Sequence, residues 1–256
     1  MLPQLRIWLN HFEYHASRRR TIPADLSDEL TQQERHLVAH SLASCALAER
    51  SAAGHLLSAA YRFSERHAAV EVARITELLI REQQQHTRLL AEFMAAHGIA
   101  PRQWAWPARV LRRLRHLREL GAGLELELCL LLTAELIGIV FYRALEQRTG
   151  CQRLRWLCRM MVADQLAHVG FASDLLLAMH ARRGPLVRAA IDLTHRGCFA
   201  GTAVFIWTMH RDVLRHVGGL PGFLLACRTQ YGFYLRPPRL PRESPVRRSG
   251  DLRQRS

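Results

Sequence analysis

Nearly the whole chain carries the apolar periodicity of α-helices, and this pattern limits the fold more than any other feature of the sequence. Leu, Ala, Arg, Glu and Gln dominate, whereas the alternation of Val, Ile and Thr that marks strands is scarce. Four long helices joined by short or medium links predict an all-α four-helix bundle with additional N- and C-terminal helices. The predicted helices cover residues 4–19, 31–61, 64–97, 122–147, 151–182, 185–216 and 220–231.

Residues that start and stop helices separate this bundle from its flanks. Thr31 and Glu34 form a capping box at the start of the first long helix, and Pro185 suits the first turn of a later one. The predicted organisation therefore has three parts. They are an N-terminal helix and linker over 1–30, a helical bundle over 31–234, and a disordered Arg- and Pro-rich tail over 235–256.

The positive charge of the chain is concentrated outside the bundle. The formal net charge is +14, all 36 basic residues other than His are Arg, and most of the excess lies in 101–118 and 236–256. A basic surface attracts nucleic acid or anionic lipid. The use of Arg without any Lys nevertheless indicates a compositional bias of the genome instead of a selected binding surface. Nucleic-acid-binding surfaces often place aromatic rings among the basic residues, but the 101–118 connector has only Trp104 and Trp106. Nucleic acid therefore stays an alternative partner.

The sequence lacks the features of a membrane-spanning or secreted protein. The mean hydropathy is −0.09, no transmembrane segment is evident, and the N-terminus has no apolar core of a signal peptide. The six cysteines are dispersed without a C-x-x-C pair, which argues against a zinc knuckle and against a disulfide scaffold. We expect a cytoplasmic protein, and a homo-oligomer is compatible with the sequence.

Polar residues interrupt the apolar stripe of each long helix near its middle. Burying carboxylates in a bundle costs several kcal/mol per ion unless they are paired. A divalent metal ion is the usual partner of such a cluster, because it accepts carboxylate and imidazole ligands together. Along the chain the interrupting residues are Glu49, then Gln83 and His86, then Glu135, then Gln165 and His168.

These interruptions form an internal repeat. Each half of the chain reads Glu, then an acid followed by Gln-x-x-His, as in the runs 82–86 and 164–168. Residues three apart on a helix lie on the same side, so the Gln and the His of each run face the same interior. Glu82 and Asp164, four residues before the histidines, can also reach that interior.

The repeat resembles that of the ferritin-like superfamily of di-iron and di-manganese carboxylate proteins, over about residues 31–182 and more loosely 185–216. The similar stretches are IREQQQHTRLLAEFMAAHGI, LLLTAELIGIVFYRALEQRTG and MVADQLAHVGFASDLL. The family pattern is a Glu from each of two helices and a Glu-x-x-His from each of the other two. The resemblance implies ligand positions at Glu49, His86, Glu135 and His168, with iron or manganese as cofactor. Tyr142, two turns after Glu135, could lie beside the metal.

The chain departs from the family pattern because both Glu-x-x-His motifs are Gln-x-x-His. Gln83 and Gln165 stand where the family has carboxylates, and Glu49 and Glu135 alone cannot balance two divalent ions. Three outcomes stay open. In the first, Glu82 and Asp164 replace the missing ligands or form hydrogen bonds to the ligating histidines. In the second, a single ion binds to the two Glu and two His. In the third, no ion binds and the amides join a polar network with the two Glu.

The resemblance implies three alternative functions. The first is a non-haem oxidase or hydroxylase that uses one or two metal ions to activate O₂ or peroxide for a small-molecule substrate. The second is a non-catalytic scaffold with a degenerate metal site. The third is a hydroxylase acting on tRNA, with the Arg-rich connector holding phosphates. Binding of that connector to a membrane surface is a further option.

Overall fold

The computed structural model describes residues 4–18, 20–51, 53–101 and 123–235, except for the side chains of 47–51 and 53. Within these ranges the chain forms eight α-helices and no strand, so the predicted all-α class is confirmed. The helices are α1 (Leu5–Ala16), α2 (Gln32–Ser51), α3 (Ala53–His67), α4 (Val70–Ala96), α5 (Leu124–Gln147), α6 (Gln152–His180), α7 (Pro185–Leu214) and α8 (Gly219–Leu235). Residues 102–122, which contain nearly all of the Arg-rich connector, and the tail from 236 lie outside the described residues.

The helix predicted over 31–61 is described on both sides of residue 52, as α2 and α3, and residue 52 itself lies outside the described residues. One predicted boundary is wrong. The next helix begins at Val70 rather than near Ser64, because α3 continues to His67 and ends where Ala68 takes a left-handed φ of 50°. Ser64 still assists α4, since its hydroxyl accepts the backbone N–H of Ala73 at 3.1 Å.

The predicted capping box at the start of α2 is present. The Thr31 hydroxyl accepts the backbone N–H of Glu34 at 3.2 Å, and the Glu34 carboxylate accepts the backbone N–H of Thr31 at 3.0 Å. Glu34 also accepts the backbone N–H of Gly150 at 2.5 Å, so the same side chain ties the start of α2 to the link between α5 and α6. This bond holds the α5–α6 link beside the start of α2.

The helices pack as two neighbouring layers around one core. α4 packs against α2 and α3, α5 packs against α6, and α4–α6 and α3–α5 contacts join the layers. The short links in α3–α4 and α5–α6 make these pairs antiparallel. α1 lies on α4 and contributes the buried Trp8 and Phe12 to the common core, while α7 and α8 cover α5. Among the described residues, no helix combines the length and apolarity needed to cross a bilayer.

Candidate metal centre

Three helices bring six of the polar residues singled out in the sequence into one buried cluster, which we call the core cluster. Each of these side chains belongs to a residue no more than 6% exposed. The cluster contains Glu82, Gln83 and His86 from α4, Glu135 from α5, and Asp164 and His168 from α6. Gln165 is also buried on α6, next to Gly138 of α5. The side chain of Glu49, the eighth predicted member, lies outside the described residues.

The two histidines are held by reciprocal hydrogen bonds between α4 and α6. His86 Nε2 lies 2.9 Å from Asp164 Oδ2, and His168 Nε2 lies 3.0 Å from Glu82 Oε2. Each acid therefore supports the histidine of the other helix rather than the one on its own. The repeat seen in the sequence thus has a counterpart in space, an approximate two-fold arrangement of acid–histidine pairs.

Glu135 lies on the other side of His168. Its Oε1 atom is 3.3 Å from His168 Nδ1 and accepts the Gln83 Nε2–H at 2.9 Å. Burial alone would lower the pKa of His168, but Glu135 and Glu82 at its two ring nitrogens raise that pKa well above its ordinary value. The two carboxylates therefore favour the imidazolium form of His168.

Two residues that the sequence analysis missed reach the same carboxylates from outside the bundle. His15 Nδ1 lies 3.6 Å from Glu82 Oε1 and 3.9 Å from Asp164 Oδ1. The Arg20 guanidinium pairs with Asp164 Oδ2 and also contacts His15 Nδ1. Burial acts to raise the pKa of Asp164, but the bond from His86 and the guanidinium of Arg20 outweigh it and lower that pKa to about 2.

Helix α1 brings His15 to this position because its apolar face packs on the bundle. The ring of Phe12 is fully buried and stacks on His168 at 5.9 Å between centroids, and Trp8 Nε1–H donates to Asp174 at 3.0 Å. His11 and His15 lie one turn apart beside Phe12, with ring centroids 4.3 Å apart. Burial lowers the pKa of His11 to about 4 and also lowers that of His15. The sequence did contain a sign of this contact: His11 and His15 are four residues apart on the aromatic face of the helix predicted over 4–19.

The glutamine of α6 fills a space that a glycine leaves on α5. A Cβ atom at Gly138 would lie 2.6 Å from Gln165 Nε2, so any larger residue there would displace the amide. Tyr142 is buried further along α5, with its ring edge-on to Phe141 at 5.4 Å between centroids.

The donors of the core cluster suit a divalent metal ion. Donor atoms of His15, Glu82 and Asp164 all lie within 4.8 Å of one another. Glu82 Oε1 and Glu135 Oε2 are buried and accept no hydrogen bond from the described residues, as is also true of the amide oxygens of Gln83 and Gln165. Leaving a buried acceptor unsatisfied costs about 1–3 kcal/mol. A cation between His15, Glu82 and Asp164 would remove that cost at Glu82 Oε1.

No protein-family model, curated protein or solved structure matches this chain. A function for it is therefore argued from the residues of the core cluster and their surroundings.

Proposed function

We propose that the protein has a ferritin-like fold and that its core cluster binds one divalent transition-metal ion of the iron or manganese class. The observation that carries this proposal is the pair of reciprocal acid–histidine bonds, together with carboxylate oxygens of Glu82 and Glu135 that are buried without a hydrogen-bond partner among the described residues. Imidazole and carboxylate in one buried cluster are the ligands these ions prefer.

Charge balance supports one ion rather than two. Among the described residues the cluster holds the carboxylates of Glu82, Glu135 and Asp164 against the single guanidinium of Arg20. Once His168 releases its proton, two negative charges remain, and one divalent ion neutralises them. Even if Glu49 adds a fourth carboxylate, a second divalent ion would leave excess positive charge in a buried core.

The proposed ligands are His15, Glu82 and Asp164, whose donor atoms lie within 4.8 Å of one another and replace those that the Gln substitutions remove. The family positions His168 and Glu135 border this site, because His168 bonds to Glu82 through Nε2 and to Glu135 through Nδ1. His86 holds Asp164, and Glu49 stays a predicted ligand. The bound ion would supply redox chemistry, so the activity we propose is oxidation or hydroxylation of a small molecule with O₂ or peroxide.

The test compares manganese binding in matched carboxylate variants. Mn²⁺ bound to the full chain is measured by electron paramagnetic resonance in the wild type, Glu82→Gln, Glu135→Gln and a Glu127→Gln control. Glu127 is also buried on α5, but lies eight residues, about 12 Å, before Glu135. We expect the first two variants to lose at least about tenfold in Mn²⁺ affinity and the control to bind like the wild type. Equal binding by all four proteins would contradict the proposal.

A specific observation also favours a second candidate, a metal-free scaffold. The Arg20 guanidinium and the His168 imidazolium place two positive charges among the same carboxylates without a metal ion. In this case the core cluster would be a structural ion-pair network, and the wild type would bind no Mn²⁺ in the experiment above.

A further inference from the structure

A second group of metal-ligating side chains lies at the bundle end where α4 finishes and α6 begins. Asp28 belongs to the linker between α1 and α2, His97 is the C-cap of α4, and Cys151 is the N-cap of α6. One donor atom from each lies within 4.8 Å of the other two. This group, the end cluster, shares no residue with the core cluster.

The hydrogen-bond surroundings of His97 contain acceptors at both ring nitrogens. Nδ1 lies 2.8 Å from the carbonyl oxygen of Phe93, and Nε2 lies 3.1 Å from the carbonyl oxygen of Asp28 and 3.2 Å from Asp28 Oδ1. A neutral imidazole has a single N–H group. When Nδ1–H donates to the Phe93 carbonyl, the Nε2 lone pair faces the carbonyl and carboxylate oxygens of Asp28. A metal-ligating histidine commonly donates its other N–H to a backbone carbonyl in this way, and a cation at Nε2 would satisfy all three acceptors.

Cys151 is placed so that a cation could hold it as a thiolate. The residue is 1% exposed, and its thiol donates a long hydrogen bond of 4.0 Å to the Ser27 carbonyl oxygen. Burial raises the pKa of the thiol, whereas the backbone N–H groups of Leu154 and Arg153 at the start of α6 act to lower it. Metal binding would overcome the effect of burial and release the thiol proton to solvent.

We infer that Asp28, His97 and Cys151 form a binding site for a thiophilic divalent cation of the zinc class. Sulfur, imidazole and carboxylate are the three donor types that zinc takes in proteins, at about 2.0–2.3 Å. His97 Nε2 and Asp28 Oδ1 are already 3.2 Å apart, close to the about 3.5 Å separation of donors around a tetrahedral zinc. The Cys151 sulfur needs to approach them by no more than about 1.3 Å, given the 4.8 Å limit on the present separations.

The two clusters differ in the metals they would select. The end cluster contains a thiol, whereas the core cluster offers oxygen and nitrogen donors, which suit manganese and iron. The linker that carries Arg20 is already attached to α6 near the end cluster. Arg153 of α6 donates to Asp28 Oδ2 at 2.8 Å and to the Leu26 carbonyl at 3.1 Å. A cation there would add a joint between this linker, α4 and α6.

The test uses Co²⁺ as a spectroscopic substitute for zinc in the full chain. Bound Co²⁺ gives a near-ultraviolet charge-transfer band only where a thiolate is a ligand. We expect that band at one equivalent in the wild type and its loss in Cys151→Ala. Cys158→Ala, which removes an equally buried cysteine two turns further along α6, should keep it. Asp28→Asn should weaken Co²⁺ binding by at least about tenfold.

The outcomes separate this inference from the proposed function. Absence of the band in the wild type, or its persistence in Cys151→Ala, would overturn the zinc-class site whatever the core cluster binds. Mn²⁺ binding to the core cluster should be the same in Cys151→Ala and in the wild type. If Cys151→Ala does not fold, Cys151→Ser, which nearly keeps the size of the side chain but has no thiolate, replaces it in the same Co²⁺ measurement. The band should be lost in Cys151→Ser, and its persistence would overturn the site.

Discussion

At the residue scale, Arg20 and a divalent ion would compete for the same ligands. The guanidinium contacts both Asp164 and His15, which are candidate metal donors. We expect Arg20→Gln to bind Mn²⁺ at least about fivefold more tightly, because a competing cation is gone. Without metal the variant should be destabilised by about 1–3 kcal/mol, since Asp164 loses its ion partner.

Urea unfolding and Mn²⁺ titration check both parts of this prediction. Arg18→Gln is the matched control, because Arg18 lies over the ring of Tyr14 at 4.1 Å on the exposed side of α1. Weaker Mn²⁺ binding by Arg20→Gln would show that the guanidinium assists the site instead of competing for it.

The two glutamines of the repeat are the other decisive residues. In Gln83→Glu a carboxylate replaces the amide that donates to Glu135 at 2.9 Å, so the metal-free core would hold two facing acids. We expect the double variant Gln83→Glu, Gln165→Glu to melt at a lower temperature without metal and to bind more Mn²⁺ per chain.

Thermal unfolding with and without Mn²⁺, together with the bound stoichiometry, measures this effect. Gln84→Glu provides the control, because Gln84 is exposed on the same helix. If the double variant gains no metal, the surrounding pocket has lost the dinuclear geometry beyond these two side chains.

At the scale of elements, α1 acts as the cover of the core cluster. Among the described residues paired with these carboxylates, the His15 side chain is 28% exposed and that of Arg20 is 20% exposed. These two side chains therefore reach from the buried carboxylates to solvent. The position of α1 depends on close packing of Trp8 against Gly170, where an added Cβ would lie 2.4 Å from the indole.

Gly170→Ala should loosen α1 without touching a candidate ligand. We expect a loss of about 1–3 kcal/mol in the free energy of unfolding, because the clash with Trp8 displaces the helix. Amide hydrogen exchange over 5–16 should become at least about tenfold faster. Gly197→Ala is the control, since nothing lies within 4 Å of the added methyl group there. Unchanged exchange in α1 would show that Trp8 adapts to the methyl group while the helix stays in place.

The helices and most of the core cluster could be predicted from periodicity, because both depend on local spacing. Glu82, Asp164 and the two histidines occupy fixed positions on single helices, so their inward direction follows from sequence. Arg20 could not be predicted, since its contact with Asp164 spans 144 residues and depends on how the linker folds. The end cluster could not be predicted either, because Asp28, His97 and Cys151 are far apart in the sequence and meet only in the folded chain.

At the scale of the whole molecule, buried neutral histidines make the stability of the fold depend on pH. His195 and His210 are both 6% exposed, and burial lowers the pKa of each to about 4. The unfolded chain, with an ordinary histidine pKa near 6.5, binds more protons than the folded chain between these values. Stability is therefore fully present above about pH 6.5 and falls as the pH drops toward 4.

We expect the urea midpoint to decrease steadily from pH 7 to pH 4.5, with up to about 3 kcal/mol lost per buried histidine. His210→Gln should flatten this dependence, and His36→Gln, at an exposed position, should leave it unchanged. An identical slope in the wild type and His210→Gln would contradict the assignment of His210 as a neutral buried group.

The most direct test of the central claim is the number of Mn²⁺ ions bound to the core cluster. Elemental analysis of the folded full chain carrying Cys151→Ala, loaded with Mn²⁺ and freed of excess metal, removes any contribution from the end cluster. We predict about one Mn²⁺ per chain, because a single divalent ion neutralises the described carboxylates beside Arg20. Two ions per chain would contradict the charge balance, and none would leave the core cluster as a structural ion-pair network.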